Sequence, residues 1–236
     1  MDVSDLPEVT NMIRSVTVNY EKELQMELSS RCLEMGRKFR SMFLIVIAQV
    51  AILAVCTVMR MARETGASLK GLMTMIGVMT VITIALSIAF CAIIFSLGKY
   101  YDDFKSAGIL FVLYQLCTLL GNMLSGGAGP VFMLISSFFG VLYVVKLASA
   151  MEDSFSMVNA EMADKWESYK KIFVTVNVAT IVCVVLLIVP VLSAVASILL
   201  VALVVADVVL GVRQFILLGQ SAKMMDHFVN DPEGAR

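Results

Sequence analysis

The chain has 236 residues, of which 59% are hydrophobic and only 16% are charged. A soluble domain carries about a quarter charged residues, so this composition excludes an ordinary globular protein. The formal net charge of −1 provides no basic surface for nucleic acid, and we expect no nucleic-acid partner.

Residues 1–40 are largely polar, but their apolar residues recur at steps of three and four, which is the spacing of one helix face. We therefore predict a cytoplasmic amphipathic helix that packs on another helix of this protein or on a second copy. The alternatives are the headgroup surface and a docking face for a partner protein. The candidate interaction residues are Val9, Ile13, Val16, Tyr20 and Leu24.

Residues 41–218 contain six apolar runs, each close to the roughly 17–25 residues that cross a hydrocarbon core of about 30 Å. Glycines between Asn122 and Pro130 predict a hairpin tip, and the last run is divided at Pro190 because proline favours a turn. The sequence thus predicts an all-α polytopic membrane helix bundle, built as three hairpins in the lipid bilayer. The predicted spans are 41–59, 72–97, 107–124, 130–148, 172–189 and 191–212.

The cations fall on alternate sides of the predicted spans. With six crossings, 15 of the 18 lysines and arginines lie on the side that holds both termini. Since cytoplasmic loops are enriched in lysine and arginine, we expect both termini in the cytoplasm of a multi-pass protein, with the plasma membrane as its location. Residues 219–236 then form a cytoplasmic tail.

The cytoplasmic loop at 149–171 is predicted to be helical as well. Its apolar residues follow one stripe, and they are Met151, Phe155, Val158, Met162, Trp166 and Tyr169. Two short motifs also recur along the chain. The first is an aromatic residue followed by a cation, which occurs at intervals of 65 residues at Phe39, Phe104 and Tyr169. The second is Asp-x-Phe, which begins at residues 102, 153 and 226, and together the motifs favour an internal repeat of three hairpins. Convergence at the membrane edge, where aromatic residues and cations are common, is the alternative.

Polar residues inside the spans also fall on helix faces. Gln115, Thr118 and Asn122 form a candidate polar face on the third span. Similar stripes occur on the second span (Thr80, Thr83 and Ser87) and on the fifth (Asn177 and Thr180). Such stripes are typical of close packing between membrane helices, and the alternative is that they line a wet pathway.

Asp207 interrupts the last apolar run, where a carboxylate is costly. Counted from Pro130 and Pro190, Lys146 and Asp207 lie at a similar depth, about 25 Å from the predicted outer turns. We therefore predict an intramembrane ion pair between Lys146 and Asp207. In the alternative, the lysine stem extends to the interface and Asp207 finds water or backbone near the membrane edge.

No motif in the sequence identifies a biochemical activity. The five cysteines are scattered, and His227 stands without a second metal-ligand candidate near it, so we expect no metal site, no cofactor and no enzymatic activity. We expect a non-enzymatic scaffold or interaction protein, with contacts to a protein partner or a second copy through its cytoplasmic helices. The alternative is a small-solute or ion transporter or channel built from hairpin repeats; a membrane-embedded lipid enzyme ranks last.

Overall fold

The computed structural model describes residues 6–64, 69–124, 128–186 and 192–230. These residues form six α-helices and no strand, which confirms the predicted all-α class. The helices are α1 (Leu6–Glu64), α2 (Leu69–Leu97), α3 (Asp102–Met123), α4 (Ala128–Ser156), α5 (Ala160–Leu186) and α6 (Ser193–Asn230).

All six helices are long and apolar enough to cross a membrane. Their outward faces expose large apolar side chains, such as Val81 at 66%, Leu134 at 73% and Ile198 at 73%. Exposed apolar surface on this scale is unfavourable in water but is in its preferred solvent among lipid tails. The helices therefore have the pattern of a multi-pass membrane protein.

The helices form a ring in chain order. Each helix packs against the next one along the chain, and α6 returns to pack against α1. This arrangement is expected when short connections place successive helices side by side. It means that α4 and α6 are not neighbours, because α5 lies between them in the ring.

Among the described residues, the large and fully buried side chains lie toward one end of the ring. The ring centroid of Phe39 lies 6.2 Å from that of Phe104 and 6.2 Å from that of Phe155. We call this end the core end, and the opposite end the open end. The aromatic core at the core end consists of Phe39, Phe104, Phe155, Trp166, Tyr169 and Phe228, each exposed by less than 2%.

Five helices contribute to this core: α5 provides two residues, and α1, α3, α4 and α6 provide one each. Burial of these side chains therefore stabilises the packing of the five helices against one another. Burying a large apolar side chain contributes about 1.5–3 kcal/mol. In the hydrocarbon region, by comparison, lipid tails already solvate the apolar side chains, so burial there contributes less. The core end is thus the region where packing fixes the relative positions of the helices.

Two predicted boundaries differ in the structure. The N-terminal segment and the first span are one continuous helix, α1, which at 1.5 Å per residue is about 88 Å long. The predicted helix within 149–171 is interrupted by a turn at Met157–Asn159. The Asn159 side chain accepts a hydrogen bond from the backbone N–H of Met162 at 2.8 Å, which starts a new helix. The apolar stripe is nevertheless buried on both sides of this turn.

The predicted hairpin tip between the third and fourth spans matches a break between helices. Helix α3 ends at Met123 and α4 begins at Ala128. A Cβ atom on Gly129 would lie only 2.7 Å from the carbonyl oxygen of Leu124, so this close approach of two backbones requires glycine. The proposed division at Pro190 lies outside the described residues, but α5 and α6 are separate helices on either side of it.

Candidate functional site

The polar faces of α2 and α3 continue the stripes that are buried at the core end. Asn122 follows Phe104 by eighteen residues, or five full helical turns, and therefore lies on the same side of α3. On α2, Thr83 precedes the buried Phe90 by two turns. Both polar stripes therefore continue helix faces that are buried nearer the core end, although Thr80 and Asn122 themselves are exposed.

A cavity of about 760 Å³ lies between α2 and α3 and brings these two stripes together. Polar residues of both stripes line it, together with apolar residues of the same two helices and Cys56 of α1. The polar lining residues are Thr80, Thr83, Ser87, Gln115, Thr118 and Asn122.

The shape of the cavity follows from the packing of α2 and α3. Near the core end the two helices are in close contact, because the Phe90 and Phe111 rings lie 5.3 Å apart and Phe95 packs over Gly108. Farther along, Thr118 of α3 is hydrogen bonded to Ser136 of α4 at 2.5 Å. This bond ties α3 to α4 rather than to α2, and the space between α2 and α3 is left as the cavity.

The hydrogen bonds of the lining residues divide them into two groups. The hydroxyls of Thr80 and Thr83 donate to backbone carbonyls one turn earlier, at 2.9 Å each, and Ser87 accepts a hydrogen bond from Gln49 at 3.2 Å. Within the described part of the chain, no hydrogen bond reaches the side-chain amides of Gln115 and Asn122. These two amides have donors and acceptors to offer to a bound molecule.

None of the described residues that line the cavity carries a charged side chain. A charged group in such an apolar surrounding would need an ion pair or many hydrogen bonds to compensate for lost hydration. The site can therefore accept a neutral molecule, whose polar group would be recognised by hydrogen bonds alone. The two remaining residues of the predicted polar stripes, Asn177 and Thr180, donate to carbonyls of their own helix and do not line the cavity.

The predicted ion pair between Lys146 and Asp207 does not form in the structure. The Lys146 Nζ atom lies 2.9 Å from Oδ1 of Asp103, in the first turn of the neighbouring helix α3. Asp207 is exposed, although it lies eighteen residues before the fully buried Met225 and so on the same side of α6. The prediction from depth was wrong because depth does not specify which helices are neighbours, and α5 separates α4 from α6.

Polar contacts at the core end link most of the neighbouring elements of the ring. Ion pairs and hydrogen bonds link α1 to the turn after α2, α3 to α4, α4 to α5, α5 to α6, and α6 back to α1. The contacting pairs are Glu34–Lys99, Asp103–Lys146, Glu152–Lys170, Trp166–Ser221 and Asp226–Arg40.

The turn between α2 and α3 holds the densest group of these contacts. Lys99 donates to Glu34 at 2.7 Å, and the Tyr100 hydroxyl also donates to that carboxylate. The hydrogen bond from Lys99 to Glu34 raises the pKa of the lysine, whereas burial, followed by the bond to Glu34, raises the pKa of Tyr100. Burial also raises the pKa of Tyr101. The lysine therefore stays charged, and both tyrosines stay neutral, to a higher pH than they would in an unfolded chain.

The N-terminal part of α1 extends beyond the aromatic core. Of the candidate interaction residues, Val9, Ile13 and Val16 lie outside the residues whose side chains are described. Tyr20 is 65% exposed and Leu24 is 56% exposed. Leu28, one turn later, already packs against the core cluster. The first helical turns with described side chains therefore present apolar residues that the chain itself does not cover.

Sequence reasoning missed the apolar half of the cavity, including Phe95 and Phe111. The helical spacing of the polar stripes was the only signal in the sequence, and it does not reveal which stripes face each other. Comparison of the chain with protein-family models, curated proteins and solved structures found no match.

Proposed function

We propose that the protein is a non-enzymatic membrane scaffold, and that the N-terminal part of α1 is its contact helix for a cytoplasmic protein or a second copy. The exposure of Tyr20 and Leu24, which lie one turn apart on the same helix face, carries this proposal. An apolar helix face of this kind is commonly buried in the groove of a partner.

The remainder of the core end suits a scaffold, because it supplies a rigid base for the contact helix. Leu28 and Cys32 of α1 pack into the core cluster, and Arg40 forms an ion pair with Asp226 of α6. Since α1 is continuous from Leu6 to Glu64, the contact helix is coupled mechanically to the first span. In this proposal the core end and both termini face the cytoplasm of the plasma membrane, which is supported by the distribution of lysine and arginine.

Site-specific photocrosslinking tests the scaffold proposal. A photoreactive phenylalanine analogue in place of Tyr20 should form a covalent product with one protein, or with a second copy, in the native membrane. Leu24→Asp should remove this product, because an unpaired carboxylate would have to be buried in the contact. The matched control is Glu23→Gln, a neighbouring exposed position, which should leave the product intact. The proposal fails if Leu24→Asp leaves the product unchanged.

A second candidate function, passage of a small solute or ion, is favoured by Asp207. This carboxylate is exposed within an apolar stretch of α6, and an ionisable residue at membrane depth commonly marks a pathway for ions or solutes. Reconstituted protein would then conduct rubidium or glycerol across liposomes, and Asp207→Asn would abolish the flux without loss of folding. Unchanged permeability of liposomes that contain the folded protein would exclude this function for these two solutes.

We also propose that the three hairpins descend from one repeated unit. The aromatic residues of the first motif, Phe39, Phe104 and Tyr169, are all fully buried at the core end, on α1, α3 and α5 respectively. Their spacing of 65 residues thus coincides with an equivalent place in each odd-numbered helix. Comparable losses of stability on replacing each of the three by alanine would support this relationship, and a large loss at only one would oppose it.

A further inference from the structure

We propose that the cavity between α2 and α3 is a binding site for a neutral lipid amphiphile, such as a monoacylglycerol, whose polar group points toward the open end of the bundle. The proposal is independent of the contact helix, because no residue of the N-terminal part of α1 lines the cavity. It assigns a ligand class to the site from three observations: its size, its gradient of polarity and the lack of charge among the described residues that line it.

The size of the cavity is appropriate for one such molecule. Binding pockets for small organic ligands usually have volumes of about 300–1,000 Å³, and this cavity measures about 760 Å³. It also lies between two membrane helices rather than in a loop region, so a lipid can enter it directly from the bilayer.

The polarity of the lining changes along the helices. Measured along the helix axis, Phe95 lies about 3 Å from the end of α2 and Phe111 lies about 14 Å from the start of α3, and both of these helix ends are at the core end. The two phenylalanines make that part of the cavity apolar. Thr80 and Asn122 lie about 26 Å and 30 Å from those ends, and they add polar groups to the opposite part, which Leu116 and Leu119 also line. An amphiphile fits this gradient best with its apolar tail against the phenylalanines.

The chemistry of the polar part selects an uncharged head group. Gln115 and Asn122 each offer an amide that no other described residue hydrogen bonds. Gln115 lies well inside α3, where an unpaired amide is costly in hydrocarbon, whereas Asn122 is exposed in the last turn of α3, at the mouth of the cavity. A hydroxyl group can both accept from and donate to these amides, and an ester oxygen can accept from their NH2 groups. Because none of the described residues that line the cavity is a lysine, arginine, aspartate or glutamate, a phosphate or an ammonium group would find no counter-charge among them.

The test is photolabelling of the full chain in phosphatidylcholine nanodiscs with a monoacylglycerol that carries a diazirine on its acyl chain. Labelled peptides should map to α2 and α3. The double variant Gln115→Leu, Asn122→Leu removes the two amides and should lower labelling about tenfold or more, because two hydrogen bonds are lost. Asn177→Leu is the matched control, since this amide bonds its own helix backbone outside the cavity, and labelling should be retained.

A competition experiment on the unmodified protein gives a readout that does not depend on the folding of a variant. Excess unlabelled monoacylglycerol should suppress the labelling of α2 and α3, whereas the same excess of phosphatidic acid should not. The proposal is overturned if the label spreads over the lipid-facing surfaces of all six helices, or if phosphatidic acid competes equally well. Neither result would bear on crosslinking at Tyr20, so this proposal and the scaffold proposal can fail separately.

Discussion

Replacing Phe104 by alanine tests whether the aromatic core holds the bundle together. Phe104 is fully buried in the first turn of α3, and its ring lies 6.2 Å from Phe39 and 6.4 Å from Tyr101. Removing a buried phenylalanine costs about 3–5 kcal/mol, because apolar burial is lost and a cavity remains. Its two ring contacts place the expected loss toward the upper part of this range. The matched control is Phe138→Ala, at a position that is 61% exposed, where lipid can fill the vacated space.

The only tryptophan in the chain provides the assay. Trp166 is 1% exposed within the same aromatic core, so its fluorescence should change when that core opens. Denaturant titration of the protein in detergent micelles should give a lower unfolding midpoint for Phe104→Ala than for the unmodified chain, and an almost unchanged midpoint for Phe138→Ala. Equal losses in the two variants would refute the conclusion that packing at the core end dominates stability.

Four further predictions follow from named contacts. In a double-mutant cycle, Lys146→Ala and Asp103→Ala should have a coupling free energy of unfolding of up to about 1 kcal/mol, because the ion pair is partly exposed. A measurable coupling between Lys146 and Asp207 would contradict the structure. Gly129→Ala should destabilise the folded protein by about 1–3 kcal/mol, because the added Cβ atom would clash with backbone. Gly211→Ala is the control, since the space around that residue is open, and it should leave stability unchanged. Equal unfolding midpoints for the two variants would refute this contrast. In a background without the native cysteines, cysteines placed at Leu124 and Glu161 should react with a membrane-impermeant maleimide from opposite sides of the membrane, and labelling from one side would disprove the six-span topology. Because burial raises the pKa of Tyr100, the folded state keeps the phenolic proton at a pH where the unfolded chain has lost it. The unfolding midpoint should therefore fall as the pH rises above about 10. If Tyr100→Phe has an unchanged midpoint at neutral pH but loses as much stability at alkaline pH, that loss comes from other groups.

The sequence by itself determined the class of the protein and the faces of its helices. Apolar runs long enough to cross a bilayer leave the backbone no stable alternative to helices, so the number of helices could be read from composition and length. Helical periodicity also predicted that Gln115, Thr118 and Asn122 share one face, a relation that depends on a single helix, and all three line the cavity. The stripe from Met151 to Tyr169 was likewise recognised as a surface that must be covered.

Only the tertiary structure decided which faces meet. Lys146 reaches Asp103 rather than Asp207 because the ring places α3, and not α6, beside α4. The two polar stripes of α2 and α3 form one cavity because Phe90 and Phe111 hold those helices together at the core end while Thr118 bonds to α4. A periodic pattern specifies the direction of a side chain about its own axis, whereas neighbours are selected by the packing of all six helices together.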